Sequence, residues 1–139
     1  MKDLIMKNVS FSYPNGYLAV EDIDLEIKSG ENVAIVGQNG AGKTTAVKMM
    51  NGLFRPTKGE IRVGDMNTKD YTTAKISRMV GYVFQNPDDQ IFHSTIESEV
   101  RFGPKTLKLD LEEENRRVEE ALKLTGMDIY REENPYNLP

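Results

Sequence analysis

A glycine-rich segment at residues 37–44, Gly-Gln-Asn-Gly-Ala-Gly-Lys-Thr, limits the folds open to this 139-residue chain more than any other feature. It matches the pattern G-x-x-x-x-G-K-[ST], in which successive backbone N–H groups cradle phosphates. Residues 32–36 before it are apolar without alternation, as expected for a strand buried on both faces. Residues 45–52 after it predict a helix that ends at a glycine. The sequence therefore predicts a strand–loop–helix unit that binds phosphate at the helix N-terminus.

The residue types in this loop suit a nucleotide. We expect contacts from Gly37, Gln38, Asn39, Gly40, Ala41, Gly42, Lys43, Thr44 and Thr45. The three glycines allow positive φ and remove the Cβ atoms that would block a phosphate. Lys43 can reach the β- and γ-phosphates, Thr44 can bind Mg²⁺, and Thr45 offers a further hydroxyl and amide. The motif favours ATP, but by itself it leaves GTP open, and also hydrolysis against phosphate transfer by a kinase.

Composition excludes several classes of protein. The 18 Lys and Arg residues against 22 Asp and Glu give a net charge of −4, and the whole excess lies in residues 108–139, with five basic and nine acidic side chains. This acidic end predicts no nucleic-acid partner, because phosphate backbones need clustered cations. With no Cys, one His and apolar stretches of only about five residues, the sequence excludes disulfide scaffolds, zinc modules and integral membrane proteins.

The remaining periodicity predicts an α/β chain with strands first and helices last. Loosely alternating runs at residues 4–11 and 23–27 predict antiparallel strands with one wet face. Further elements are expected as strands at 61–63 and 79–84, a helix at 73–78, and helical periodicity from about residue 94. The last helix is the clearest, since Asp110 with Glu113 predicts a capping box and Gly126 a stop. Its apolar face is expected at Val118, Ala121, Leu122 and Thr125.

Two flanking segments resemble those of one family. Phe-Ser-Tyr-Pro at residues 11–14, followed by residues 19–31, looks like the opening of an ABC-transporter ATPase. The resemblance implies that Tyr13 stacks on the adenine ring, with Tyr17 a less well-placed rival. Residues 80–92, Val-Gly-Tyr-Val-Phe-Gln-Asn-Pro-Asp-Asp-Gln-Ile-Phe, resemble the Q-loop region. By that resemblance Gln85 ends a core strand, binds Mg²⁺ or its water, and couples the nucleotide site to a membrane partner.

The sequence of residues 84–90 resembles the corresponding segment in the ATPases of energy-coupling-factor importers, and so does Val-Arg-Phe-Gly-Pro at residues 100–104. Such importers take up vitamins, or cobalt and nickel ions. The resemblance implies a P-loop NTPase core whose catalytic residues here include Lys43 and Gln85, with Thr44 and Gln85 as the Mg²⁺ ligands. It also implies a second ATPase subunit, a transmembrane coupling component and a substrate-binding membrane component, with the protein peripheral on the cytoplasmic face of the membrane.

The resemblance covers only the front of the family's cassette. Residues 1–92 are expected to form the nucleotide-binding core, incomplete but with A-loop, Walker A and Q-loop. Residues 93–139 are expected to begin the helical subdomain and to end before the signature motif. An alternative function is a truncated module that binds Mg-ATP without hydrolysing it, and a kinase or GTPase is a third. The resemblance implies that further strands of the cassette would ordinarily flank residues 32–36, so for this chain we expect an exposed sheet edge, marginal stability and self-association.

Several ionisable side chains near the Q-loop-like segment are not expected to take part in catalysis or in binding a metal. His93 does not match the switch histidine of ABC ATPases, so we expect a loop histidine at the edge of the helical subdomain. Asp88, Asp89, Glu97 and Glu99 are expected on the surface or facing a partner rather than binding a metal.

Overall fold

The computed structural model describes residues 2–138, except for the side chains of Pro87 and Asp89. The expectation for the Asp89 side chain therefore lies outside the described residues. The chain forms two compact units that divide between residues 82 and 83. The boundary expected from the sequence, after residue 92, stays a prediction.

The first unit contains an antiparallel sheet and two helices. Its elements are β1 (Leu4–Ser12), β2 (Leu18–Ile27), α1 (Lys43–Met50), β3 (Lys58–Val63), β4 (Met66–Asn67) and α2 (Thr73–Ile76), with a 3-10 turn at Thr68–Asp70. The strands lie in the order β2-β1-β3-β4, and every neighbouring pair is antiparallel. The antiparallel strands predicted for the N-terminal third are therefore confirmed.

A bulge in β1 determines which of its side chains face the core. The register with β2 shifts between Met6 and Val9, and Asn8 between them has a φ of 49°. The Asn8 N–H donates to Oδ1 of Asp24 at 2.9 Å, so a side chain replaces the interrupted ladder. Because the extra residue shifts the alternation by one, Met6 and Val9 are both buried although they are three residues apart.

Helix α1 packs on this sheet and closes the core of the first unit. The buried cluster consists of Met6, Val9, Phe11, Val20, Ala46, Met49, Met50 and Ile61. Met49 and Ile61 are fully buried, and each such side chain stabilises the fold by about 1.5–3 kcal/mol relative to exposure. This packing fixes the N-terminal turn of α1 beside the start of β2.

Two strands predicted from the sequence are absent from the described residues. Residues 32–36 and 79–84 form no strand there, and Val36 and Val83 are 89% and 83% exposed. The prediction that residues 32–36 form a strand buried on both faces is therefore wrong for this chain, as is the strand at 79–84. A strand needs neighbours to pair its backbone groups, and no described strand lies beside either segment.

The second unit is helical. Helix α3 spans Ile96–Thr106 and α4 spans Leu111–Thr125, with 3-10 turns at Pro87–Gln90, Asp128–Tyr130 and Pro135–Asn137. Asp110 caps α4 by accepting the Glu113 N–H at 2.9 Å, and Gly126 ends it with a φ of 69°. The predicted last helix is thus confirmed, although the Glu113 side chain bonds arginines rather than completing a capping box. No helix within residues 2–138 is long and apolar enough to cross a membrane.

A network of ion pairs joins the elements of the second unit. Arg101 on α3 donates to Glu97 at 2.7 Å and to Glu114 on α4 at 2.9 Å. Arg131 donates to Glu97 at 3.3 Å and to Glu119 at 2.7 Å. The hydrogen bonds to Glu114 and then Glu97 raise the pKa of Arg101. The network fixes how the two helices and the turn after α4 meet, over an apolar core of Ile96, Val118 and Leu122.

Candidate functional site

The glycine-rich loop leads directly into the N-terminus of α1. Residues 37–41 are exposed and irregular, and Gly42 is the residue that caps the helix. No described side chain caps this helix end. The N–H groups of its first turn have no intrahelical acceptor, and the helix dipole makes this end positive. The local structure therefore offers a binding site for an anion, to which these N–H groups can donate hydrogen bonds.

Lys43 brings a positive charge to the same place. Its Nζ donates to the carbonyl oxygens of Gly37 at 2.8 Å and Gln38 at 2.7 Å. The Ala41 N–H also turns back, to the Gln38 carbonyl at 3.2 Å. An ammonium group therefore lies across the loop that opens the uncapped helix. A phosphate that enters the loop would replace the two carbonyl oxygens as the hydrogen-bond partner of the Lys43 ammonium group.

The glycines of the loop serve different purposes. Gly40 and Gly42 have φ values of 83° and 80°, so the expectation of positive φ is confirmed for them. For Gly37 that expectation is wrong, because Gly37 is not among the residues with positive φ. A Cβ on Gly42 would lie 2.3 Å from the Ala19 carbonyl oxygen, whereas one on Gly40 would meet open space. Gly42 thus allows the loop to approach β2 closely, a requirement that the motif alone did not reveal.

An aromatic residue from the end of β1 is tied to α1. The Tyr13 hydroxyl and Thr45 Oγ1 share a hydrogen bond of 2.9 Å. Thr45 is buried, and the Tyr13 ring is half-buried against Phe11 and Phe54. Sequence reasoning chose both residues for a nucleotide site but missed this bond. The side-chain hydroxyl expected to face a phosphate is engaged by Tyr13 instead.

The two predicted Mg²⁺ ligands belong to different units. Thr44 is exposed in the first turn of α1, and Gln85 is exposed in an irregular segment at the start of the second unit. Their shared role therefore stays a prediction, while Tyr13, the loop and Lys43 all belong to the first unit. Within residues 2–138, no group of three or more His, Cys, Asp or Glu side chains is placed to hold a metal ion.

His93 lies in the loop before α3 and bonds Glu99. Its Nδ1 is 2.9 Å from Glu99 Oε2, which also accepts the N–H groups of Phe92 at 2.9 Å and His93 at 2.8 Å. Burial raises the pKa of Glu99, but these hydrogen bonds outweigh it and the pKa is lowered. Glu97 and Glu99 are thus half-buried and pair with Arg101 and His93, where the sequence led us to expect them on the surface or facing a partner.

The sequence of this chain is similar to those of known proteins. A family model described as ABC transporter matches residues 20–138. A protein of Pyrococcus furiosus, named provisionally as an ABC transporter ATP-binding protein, is 47% identical over 96% of this chain and 51% of its own length. The energy-coupling factor transporter ATP-binding protein of Methanocaldococcus jannaschii is 42% identical over 95% of this chain and 48% of its own.

The solved structures include a similar fold. The cbiO1 protein of Clostridium perfringens, described as part of the ABC transporter complex cbiONQ, matches with a TM-score of 0.86 and 34% identity. The match covers 98% of this chain and 55% of that one. The chain thus spans about half the length of the curated relatives it matches.

Proposed function

Because the chain belongs to the ABC transporter family, we propose that it supplies the phosphate-binding part of an ATP-binding subunit whose whole protein hydrolyses ATP. Its antiparallel sheet and helices are the N-terminal part of the expected α/β core. The observation that carries the proposal is Lys43, whose ammonium group lies across an exposed glycine loop at the uncapped N-terminus of α1.

Phosphate binding follows from the charges at this helix end. The N–H groups of the first turn and the loop would donate to phosphate oxygens, and Lys43 would exchange its two carbonyl acceptors for them. Thr44 offers an exposed hydroxyl, and Gln85 an exposed amide oxygen, which are the hard oxygen donors that Mg²⁺ takes. Mg²⁺, when bound, would neutralise charge that develops on the phosphates. A base attached to them would meet the aromatic cluster around Tyr13.

For the whole protein we propose the ATPase of an energy-coupling-factor importer of a metal ion or vitamin. The support is the Methanocaldococcus jannaschii relative, the cbiO1 neighbour, and the residues at 84–90 and 100–104 that the resemblance rests on. The partners proposed are a second ATPase subunit, a transmembrane coupling component and a substrate-binding membrane component. The subunit would lie at the cytoplasmic face of the membrane.

Calorimetric titration with Mg-ATP and Mg-GTP tests the nucleotide site. Lys43→Ala is expected to weaken Mg-ATP binding by at least about tenfold, which is 1.4 kcal/mol. Lys75→Ala is the matched control, because Lys75 is a lysine of α2 in the same unit whose Nζ lies over the Tyr71 ring, 4.5 Å from its centroid. Circular dichroism would show that each variant folds.

Three results would decide between the candidate functions. Unchanged affinity in Lys43→Ala would refute the assigned role of the lysine. A preference for GTP would favour the kinase or GTPase alternative. Binding of Mg-ATP without phosphate release would favour the alternative of a module that binds Mg-ATP and does not hydrolyse it.

A further inference from the structure

Three asparagines of this chain are each followed by a glycine, in the pairs Asn15–Gly16, Asn39–Gly40 and Asn51–Gly52. Such a pair deamidates readily, because glycine has no side chain to hinder the attack of its backbone nitrogen on the asparagine amide. The backbone conformation does not separate the three pairs, since their glycines have φ values of 85°, 83° and 75°. The hydrogen bonds that each pair makes do separate them.

The first pair is exposed, but the turn before β2 holds it in place. Asn15 Oδ1 accepts the Tyr17 N–H at 3.0 Å, which fixes the side-chain amide. The Gly16 N–H, whose nitrogen would have to attack that amide, donates to the Tyr13 carbonyl at 2.9 Å. Both reacting groups would therefore have to break a hydrogen bond before they could react.

The third pair follows α1 and is buried. Asn51 is 5% exposed, and its Oδ1 accepts the Leu53 N–H at 3.0 Å. The Gly52 N–H donates to the Met49 carbonyl at 3.1 Å. Because deamidation consumes water, burial protects this pair in addition to its two hydrogen bonds.

The pair in the phosphate loop has neither form of protection. Asn39 and Gly40 are both exposed. They form the centre of a turn in which the Ala41 N–H donates to the Gln38 carbonyl at 3.2 Å. The structure of residues 2–138 gives the Asn39 side chain and the Gly40 N–H no hydrogen-bond partner. A Cβ on Gly40 would meet open space, so the two reacting groups are free and lie in water.

We propose that Asn39 is a site of spontaneous deamidation that inactivates the phosphate loop. The Gly40 nitrogen gives its proton to solvent and attacks Asn39 Cγ. The bond from Cγ to the side-chain nitrogen breaks, and that nitrogen leaves as ammonia with a proton from solvent. Water then opens the resulting succinimide ring at either carbonyl, which yields aspartate or isoaspartate. The net change is one water taken up and one ammonia released, without oxidation or reduction.

The product carries a new negative charge in a loop whose proposed ligand is an anion. The carboxylate would attract the Lys43 ammonium group, which lies across this loop, and would repel a phosphate. In isoaspartate the backbone also runs through the former side chain, which displaces the N–H groups of the loop. This loss of binding rests on the proposed function, whereas the modification depends only on the exposure and hydrogen bonds of the loop.

Peptide mapping by mass spectrometry tests the modification, on the folded full chain incubated at mildly alkaline pH. Asn39 is expected to deamidate at least about tenfold faster than Asn15 or Asn51, because each protected pair must break two hydrogen bonds. The same chain in concentrated urea is the control, in which all three pairs should react at similar rates. Equal rates in the folded chain, or a faster reaction at Asn15 or Asn51, would overturn the proposal.

Calorimetry with Mg-ATP tests the consequence for binding. Asn39→Asp, which has the charge of the product, is expected to bind Mg-ATP at least about tenfold more weakly than wild type. Asn115→Asp is the matched control, because Asn115 is exposed in the second unit and an aspartate keeps the oxygen that accepts the Arg101 N–H. Circular dichroism would show that both variants fold.

The outcomes separate this inference from the proposed function. If wild type binds Mg-ATP and Asn39→Asp binds it equally well, the inactivation is refuted and the phosphate site stands. If the folded wild-type chain binds no Mg-ATP, the proposed function and the inactivation both fail. The peptide map decides in either case whether Asn39 is the modified residue.

Discussion

Gly42 combines a constrained backbone with a close contact. Its φ of 80° lies in the left-handed region, and a Cβ there would approach the Ala19 carbonyl oxygen to 2.3 Å. The motif requires a glycine at this position because a Cβ atom there would block a bound phosphate. The structure adds that the loop could not lie against β2 with any side chain there. This requirement involves a residue far away in sequence, so the motif could not reveal it.

Replacing Gly42 with Ala should therefore destabilise the fold itself. The left-handed conformation costs a non-glycine residue about 1–2 kcal/mol, and the contact with Ala19 adds to that cost. Gly40→Ala is the control, because Gly40 has a similar φ of 83° but open space around it. Urea denaturation followed by circular dichroism should show a larger loss of unfolding free energy for Gly42→Ala. Equal losses would mean that the contact with β2 has no energetic effect.

At the scale of secondary-structure elements, the sequence predicted correctly the helix that depends on neighbouring residues, but it did not predict the features that depend on residues far away in the chain. Helix α4 could be predicted because its cap at Asp110, its apolar spacing and its stop at Gly126 all lie within the helix or next to it. The segment at residues 32–36 could not, since an apolar run becomes a strand only beside partners, and none is described. The bulge at Asn8 was also missed, because it depends on Asp24 in the neighbouring strand.

Acid should weaken α4 through Glu113. Hydrogen bonds from Arg116 and then Arg117 lower the pKa of this carboxyl from 4.5 to about 2. A carboxyl whose pKa is lowered by folding stabilises the fold above its unfolded pKa, and that stabilisation disappears as pH falls through the folded pKa. The stability difference between wild type and Glu113→Gln should therefore be largest above pH 4.5 and vanish near pH 2.

Urea unfolding followed by circular dichroism at a series of pH values would measure this difference. Glu112→Gln is the matched control, since residues 2–138 include no ion pair at Glu112. At neutral pH, Glu112→Gln should lose less unfolding free energy than Glu113→Gln. A difference for Glu113→Gln that is constant with pH would show that the two arginine contacts contribute nothing to stability.

At the scale of the whole molecule, two exposed apolar segments determine whether the chain associates with other copies of itself. Val36 and Val83 belong to residues 32–36 and 79–84, which are rich in strand-forming side chains and lie outside the described sheet. Segments of this kind pair readily with other chains. The chain spans about half the length of its relatives, and no described strand covers these segments.

Self-association should therefore increase with protein concentration. Light scattering is expected to give a mass above that of a single chain, and Val36→Lys should lower it, since a lysine opposes strand pairing. Leu124→Lys is the control, because Leu124 is 87% exposed but lies on a regular helix. A monodisperse chain that melts cooperatively at every concentration would contradict both self-association and marginal stability.

The bonds from Lys43 to the carbonyls of Gly37 and Gln38 also compete with a ligand. A phosphate has to take the place of both carbonyl oxygens before it can bind the ammonium group. The affinity for phosphate therefore reports the difference between the bond that forms and the two bonds that are lost. The net gain in binding free energy from Lys43 is accordingly smaller than the strength of its bond to the phosphate alone.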